Sequence, residues 1–537
     1  MKIHKSLWIA IGFVLVLSTV LAGCGGGGSN AGGQGKTLIY GRGADSPKLD
    51  PALVTDGESF RVTENVMETL VDYEKDSMDV RPALATKWET SDGGKTWTFH
   101  LRKDVKFHDG TDFNAEAVVF NFERWMNQEH KSGKKDDFTY YASMFGGFKG
   151  DEGHLIESVK AVDDYTVEFK LKEPQGPFLQ NLAMSPFAIA SPKAVKEDPG
   201  KFAQHPVGTG PFKFKSWKKG DSITIVKNED YWQKGLPKLD QVIFKSIPDN
   251  SARLTALQSG DIDVMDGLNP DDAKTVEQND KLQLFKRPPN NVGYLAFNME
   301  EKPFDDKKVR QAINHAVNKE GLIKSFYADL AEPAKNPMPP SMWGYNDEIE
   351  PYEYNLEKAK KLLKEAGYED GFEVEFYAMP EPRPYMPDGK KIAEYIQADL
   401  KKIGIKAKIV SPEWQSYLEA TEEGKHDMAL LGWTGDNGDP DNFLYVLLDK
   451  DNARIPAQNI AFYKSDKLHD ILIKAQRETD KAKRTELYKE AQEIIREDAP
   501  WVPLVHATPP LAAQSYVKNY VPHPKGSDSL AEVDIQK

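Results

Sequence analysis

One cysteine, Cys24, stands in a chain of 537 residues. A body of that size must be held by hydrophobic cores, hydrogen bonds and ion pairs alone. It can form no intramolecular disulfide and no cysteine metal cluster. The position of Cys24 constrains the chain further. Lys2 and Lys5 give a positive start, and Leu7 to Val20 is a nearly unbroken apolar run. That length suits the core of an export signal and is short for a membrane span.

Leu21-Ala22-Gly23-Cys24 follows directly and resembles the lipobox of bacterial lipoproteins. The resemblance implies that residues 1–23 are a removed signal peptide. Cys24 would then be the acylated first residue of a protein anchored to the cell membrane and facing outside the cytoplasm. Three other readings compete: secretion with cleavage elsewhere, an uncleaved anchor helix, and a buried core cysteine. A free thiol outside the cell is a liability that acylation removes. One acyl chain anchors weakly, whereas two or three hold firmly. Gly25 to Gly35 has almost no side chains with which to build a core. It is expected to be a flexible tether of roughly 20 Å, with the folded body starting near Lys36.

The formal net charge is -14, and removing Lys2 and Lys5 takes it to -14 − 2 = -16. A chain so acidic lacks the basic face that nucleic acid needs. Hydrophobic residues make up 39 %, enough for large cores, and no apolar run after the leader approaches a membrane helix. The mature body is expected to be soluble, with two to four domains.

The early part is rich in strand-like runs: Lys36 to Gly41, Lys95 to Arg102, and Tyr165 to Leu171 with Tyr165, Val167, Phe169 and Leu171 on one face. Asp92-Gly93-Gly94 is turn chemistry and predicts a hairpin. Asn114 is an expected cap for a helix over 115–126. Strands are expected at 222–226 and 239–247, and a helix capped by Ser251 to about Gln258. From Val292 helix and strand alternate. Helices are expected over 305–316, 356–366 closed by Gly367, 390–403 and 484–497, and strands over 372–377, 407–410 and 428–433.

Several blocks together resemble the bacterial ABC-importer solute-binding proteins of the peptide- and nickel-binding class, family 5. They include Pro82-Ala-Leu-Ala-Thr-Lys-Trp-Glu, Val105-Lys-Phe-His-Asp-Gly, Gly208-Thr-Gly-Pro-Phe, Leu257-Gln-Ser-Gly-Asp-Ile-Asp and Val309-Arg-Gln-Ala-Ile. Met342-Trp-Gly-Tyr-Asn-Asp, Arg383-Pro-Tyr and Gly432-Trp-Thr-Gly-Asp-Asn-Gly-Asp-Pro-Asp-Asn-Phe match the dipeptide-binding members more closely. The resemblance implies a two-lobed α/β fold of class II type with an extra subdomain in the first lobe. Lobe I would take residues 36–65, 215–286 and 506–537, the inserted subdomain 66–214, and lobe II 287–505. Crossings near Arg287 and Val505 would form the hinge.

The same resemblance implies a receptor, expected to be monomeric, that carries short peptides to the membrane subunits of an importer. A dipeptide offers an ammonium and a carboxylate one peptide bond apart. Arg suits the carboxylate because its planar fork binds both oxygens, and a carboxylate suits the ammonium. By resemblance Arg383 and Asp436 fill these roles. Trp433, Thr434, Gly435 and Tyr385 would line the cleft from lobe II, and Thr55, Asp56 and Gly57 from lobe I. Pro382 and Pro384 would stiffen the Arg383 loop, and Gly435 and Gly438 would let backbone approach the ligand. Glutathione, haem, nickel complexes and longer peptides are cargoes of relatives and stay open. The acidic run from Asp436 lacks the spacing of a calcium loop, so no metal is expected. Nor is a cofactor. The sequence carries no catalytic motif, and His100, His108, His205, His315, His426 and His506 are scattered, so an enzyme is not expected.

Overall fold

The computed structural model describes residues 35–127 and 138–537. The leader, Cys24 and the tether as far as Gln34 lie outside the described residues, and so do the expectations placed on them. Among the described residues no helix is long and apolar enough to cross a membrane.

Three sheets organise the body. A seven-stranded sheet runs in the order Leu282–Lys286, Pro510–Gln514, Val264–Met265, Thr37–Arg42, Gln241–Ser246, Ser222–Lys227 and Phe212–Lys218. Its inward residues, among them Leu38, Tyr40, Ile223, Ile225, Val242 and Phe244, are fully buried. A six-stranded sheet runs in the order Ala331–Pro333, Trp501–Ala507, Asn291–Phe297, Met428–Thr434, Glu373–Tyr377 and Lys406–Val410. Helices Lys307–Ala316 and Gly389–Lys401 add Ile313, Ile392 and Ile396 to its core. Asn291–Phe297 is buried along its whole length, as a central strand covered on both faces must be. The third sheet is antiparallel, in the order Ala85–Ser91, Thr96–Leu101, Thr166–Leu171 and Ile156–Asp163. Helix Ala115–Met126 packs on it, with Phe122 edge-on to Phe169 at 4.7 Å.

The chain passes between the two large sheets twice, from Lys286 to Asn291 and from Ala507 to Pro510. The second passage comes after Ala507, two residues beyond the expected Val505, because the strand keeps pairing to that point. Likewise Phe212 already belongs to the seven-stranded sheet, three residues ahead of the expected boundary at 215. The passages touch: Arg287 N donates to Pro509 O at 3.0 Å. Arg287 then reaches Asp528 through a buried two-armed ion pair, at 2.6 and 3.0 Å.

Most element expectations hold within a few residues, and the shifted helix starts share one cause. Asn114 caps its helix as expected, accepting from Ala117 N at 3.0 Å. The helix assigned to Ser251 is capped instead by Asp249, which accepts from Ala252 N at 2.7 Å. Asp306 caps Lys307–Ala316, so that helix starts two residues after Asp305. Asp480 caps Lys481–Asp498, so that helix starts three residues before Arg484. In each case a carboxylate meets the partial positive charge of a helix N-terminus, which favours an anion there.

Candidate ligand site

Strands Glu373–Tyr377 and Met428–Thr434 run parallel and side by side, with Phe376 opposite Met428 and Tyr377 opposite Ala429. Their C-terminal ends therefore point the same way. In open α/β sheets ligands collect beyond such ends. Arg383 lies in the loop after the first strand, and Asp436 two residues after the second.

The Arg383 loop is a tight turn. Arg383 N donates to Met386 O at 3.0 Å and Met386 N returns to Arg383 O at 2.9 Å. Tyr385 fixes the turn to the sheet. Its carbonyl accepts from the Tyr327 hydroxyl at 2.8 Å, and its ring lies on Gly432. A Cβ at Gly432 would stand 2.2 Å from that ring and 2.6 Å from the Val292 carbonyl. Glycine at 432 is thus what lets the Arg383 loop settle on the strand that carries Asp436. Burial pushes the Tyr385 hydroxyl up to about 12 against the pull of the Arg383 charge. The half-buried Arg383 guanidinium lies 4.5 Å from the centre of the Trp414 ring, and its Nη1 donates to Pro382 O at 3.0 Å. Among the described residues no carboxylate pairs with it.

Asp436 is partly buried and has no cation beside it among the described residues. The Tyr140 hydroxyl donates to Oδ1 at 2.8 Å, and Asn442 Nδ2 lies 3.4 Å from Oδ2. Burial raises its ionisation to about 6 against those two contacts. Asn442 also closes the turn, since its Oδ1 accepts from Trp433 Nε1 and from Asp436 N, both at 2.9 Å. Thr434 pairs with Asn291 across the ladder. Gly435 exchanges backbone and side-chain hydrogen bonds with Asn290, at 2.8 and 3.0 Å. The same loop holds Asp439 differently. Arg484 grips both of its oxygens at 2.8 Å, and the pair is buried. Two aspartates three residues apart thus have opposite situations, one neutralised and one not.

The other expected residues fall into place unevenly. Asp56 caps helix Gly57–Thr63, and Ser59 N and Oγ occupy its two oxygens, each at 2.9 Å. Thr55 and Gly57 are exposed. They connect to Asp436 indirectly: Phe60 of that helix lies 6.1 Å from the Tyr140 ring, and Tyr140 holds Asp436. Gly435 and Gly438 do allow close approach, but the neighbours the structure gives them are protein atoms. A Cβ at Gly435 would meet Asn290 and Phe443 at 2.8 Å, and one at Gly438 would meet the Met78 carbonyl at 2.3 Å. Tyr140, Asn442, Asn290 and Tyr327 were not singled out in the sequence. Tyr140 is 296 residues from Asp436, and no local pattern marks it.

Segments 66–214 and 287–505 touch around this site. Asn437 Nδ2 donates to Asn181 Oδ1 at 2.8 Å, Gly176 N donates to Gln476 O at 2.6 Å, and Arg477 pairs with Glu173 at 2.7 Å. Four of the six histidines named from the sequence are tied to backbone. Ring nitrogens of His108, His315, His426 and His506 lie 2.7–3.0 Å from backbone carbonyls. Burial brings His108, His426 and His506 down to about 4. Asp449, Asp451 and His469 gather three ligand-type atoms, but His469 Nδ1 and Asp451 N both bond Asp449 Oδ1, at 3.0 and 2.8 Å.

The pattern described as bacterial extracellular solute-binding proteins, family 5, middle, matches residues 79–454. The chain is 39 % identical to the dipeptide-binding protein of Escherichia coli strain K12, over 100 % of this chain and 99 % of the relative. It is 40 % identical to heme-binding protein A of Haemophilus influenzae, over 93 % of this chain and 92 % of the relative. Among solved structures, it is similar to the ABC transporter-associated periplasmic binding protein DppA of Helicobacter pylori in complex with the peptide STSA. The TM-score is 0.81 at 41 % identity, covering 93 % of this chain and 98 % of that one.

Proposed function

The chain belongs to family 5 of the bacterial extracellular solute-binding proteins and has their two-lobed α/β fold; from that premise we propose that it binds short peptides, dipeptides foremost, and hands them to an ABC importer. Members of this family bind and deliver solutes and are not enzymes. The observation that carries the cargo reading is a pair of opposite charges left unneutralised beyond adjacent parallel strands. Among the described residues Arg383 has no carboxylate, Asp436 has no cation, and they do not pair with each other. Buried or half-buried charges are ordinarily paired, as Asp439 with Arg484 is here. A zwitterion with its charges one peptide bond apart supplies both missing partners at once.

In this reading the two large sheets are the cores of the two lobes, and the four-stranded sheet is the core of the inserted subdomain. The passages at 287–290 and 508–509 are the hinge. Trp433, Thr434, Gly435 and Tyr385 line the cleft, and Thr55, Asp56 and Gly57 close it from the other side. Closure would form the Asn437–Asn181 and Arg477–Glu173 contacts, and opening would break them. Acylated Cys24 and its tether would keep the loaded receptor near its importer, raising its effective concentration there. Cys24→Ser is then expected to release the protein from membranes. The 40 % identity to heme-binding protein A supports haem as the second reading, with Arg383 taking a propionate. Native mass spectrometry of the purified protein separates the two. Peptide adducts that vanish in Arg383→Ala are expected, and a haem adduct in their place would contradict the peptide reading.

A further inference from the structure

A cavity of about 290 Å³ is lined by residues other than Arg383 and Asp436, although its Tyr73 comes close to the Asp436 loop at Gly438. Its walls come from 64–83, 183–188, 211–236 and 519–532.

The charges on its walls do not balance. Three cations line it, and each is taken by one acid: Lys525 by Glu64 at 2.9 Å, Arg81 by Asp72 at 2.8 Å, and Lys75 by Glu532. His523 adds no charge, because burial brings it down to about 3. Glu68 and Glu74 remain without cations among the described residues. Glu68 is the informative one. The Thr209 hydroxyl, the Tyr231 hydroxyl and Trp232 Nε1 donate to it at 2.7, 2.8 and 3.0 Å. Three neutral donors orient this carboxylate without neutralising it, and burial raises its ionisation to about 7. Glu64 also lines the cavity. Its side chain is only 9 % exposed, and its Oε1 has no hydrogen-bond partner.

We propose that this cavity is a second binding site, independent of the peptide cleft, for a small aliphatic organic cation carrying primary ammonium groups. One ammonium would sit against Glu68 and complete the set of donors that Thr209, Tyr231 and Trp232 begin. Its stem would run along Tyr73 and Met67, which also line the cavity. Glu68 inside the cavity and the exposed Glu74 at its rim give places for two ammonium groups, which favours a diamine over a monoamine. An ammonium suits Glu68 better than a metal ion does. The three donors already occupy most of the carboxylate lone pairs, so a hydrogen bond can be added where a coordination shell cannot. An anionic solute is disfavoured, since it would meet an excess of negative charge.

The test is calorimetry on the mature protein with 1,4-diaminobutane, 1-aminobutane and 1-butanol, with and without saturating dipeptide. One diamine is expected to bind per chain, more tightly than the monoamine and with no change on adding dipeptide; the alcohol should not bind. Glu68→Gln should weaken the diamine by about tenfold or more, the scale of a lost charged hydrogen bond, while dipeptide affinity stays put. Displacement of the diamine by dipeptide, equal binding of the alcohol, an unaltered Glu68→Gln or no diamine binding at all would each overturn the proposal. If Glu68→Gln does not fold, the ordering of the three ligands on the wild-type protein decides alone.

Discussion

Asp436→Asn should stabilise the empty protein while removing its hold on peptide. In the structure Asp436 ionises at about 6 rather than 3.8. At 1.36 kcal/mol per pH unit, keeping that carboxylate charged in the folded state at neutral pH costs about 3 kcal/mol. The sign follows from the direction of the shift. A raised folded value favours the native state below the unfolded value, and that advantage is lost as pH rises through about 6. Asparagine carries no charge and still offers an oxygen to the Tyr140 hydroxyl. Its amide would face Asn442 Nδ2, now 3.4 Å from Oδ2, donor against donor. Part of Asp436 also meets solvent. Both corrections reduce the gain, to about 1–2 kcal/mol at pH 7.5. Denaturant unfolding of ligand-free wild type and variant should show that gain at pH 7.5 and show it shrinking towards zero near pH 4. Destabilisation at pH 7.5, or a gain independent of pH, would refute the reasoning that an uncompensated charge is held there for a ligand.

Four further outcomes follow from the same geometry. Dipeptide affinity should fall about tenfold per pH unit below about 6, because Asp436 must give up its proton to meet an ammonium, and titrations in Asp436→Asn should lack this slope. Arg383→Ala should weaken dipeptide binding by roughly 2–5 kcal/mol by calorimetry, since the ligand carboxylate loses its only proposed partner. Gly432→Ala should lower peptide affinity and cost about 1–3 kcal/mol of stability, because its Cβ would stand 2.2 Å from the Tyr385 ring that seats the Arg383 loop. Arg484→Met should destabilise by about 3–5 kcal/mol in denaturant unfolding by stranding buried Asp439, while Asp439→Asn in the same background should recover much of the loss.

Local chemistry made much of the fold legible. Alternating strands such as Thr166–Leu171 and the glycine turn at 92–94 announce themselves because their signals lie within a few residues. Helix starts were less legible where two polar residues compete, as Asp249 does with Ser251, because the winner depends on which reaches a free amide. Strand order was not legible. Nothing near Pro510–Gln514 tells that it inserts between Leu282–Lys286 and Val264–Met265. The site divides in the same way. Arg383 and Asp436 drew attention through resemblance, and composition alone could not separate Asp436 from Asp439. What separates them is Arg484, 45 residues beyond Asp439, and Tyr140, 296 residues before Asp436. Such partners meet only through the fold.

In the proposed function one short peptide is held by both ends. Calorimetry with a single dipeptide in three forms, free, N-acetylated and C-amidated, tests it most directly. The free form should bind one to one, and each blocked form should lose roughly 2–5 kcal/mol. Arg383→Ala should not distinguish the free from the amidated form, and Asp436→Asn should not distinguish the free from the acetylated form. Equal affinity of all three forms for the wild-type protein would contradict the account.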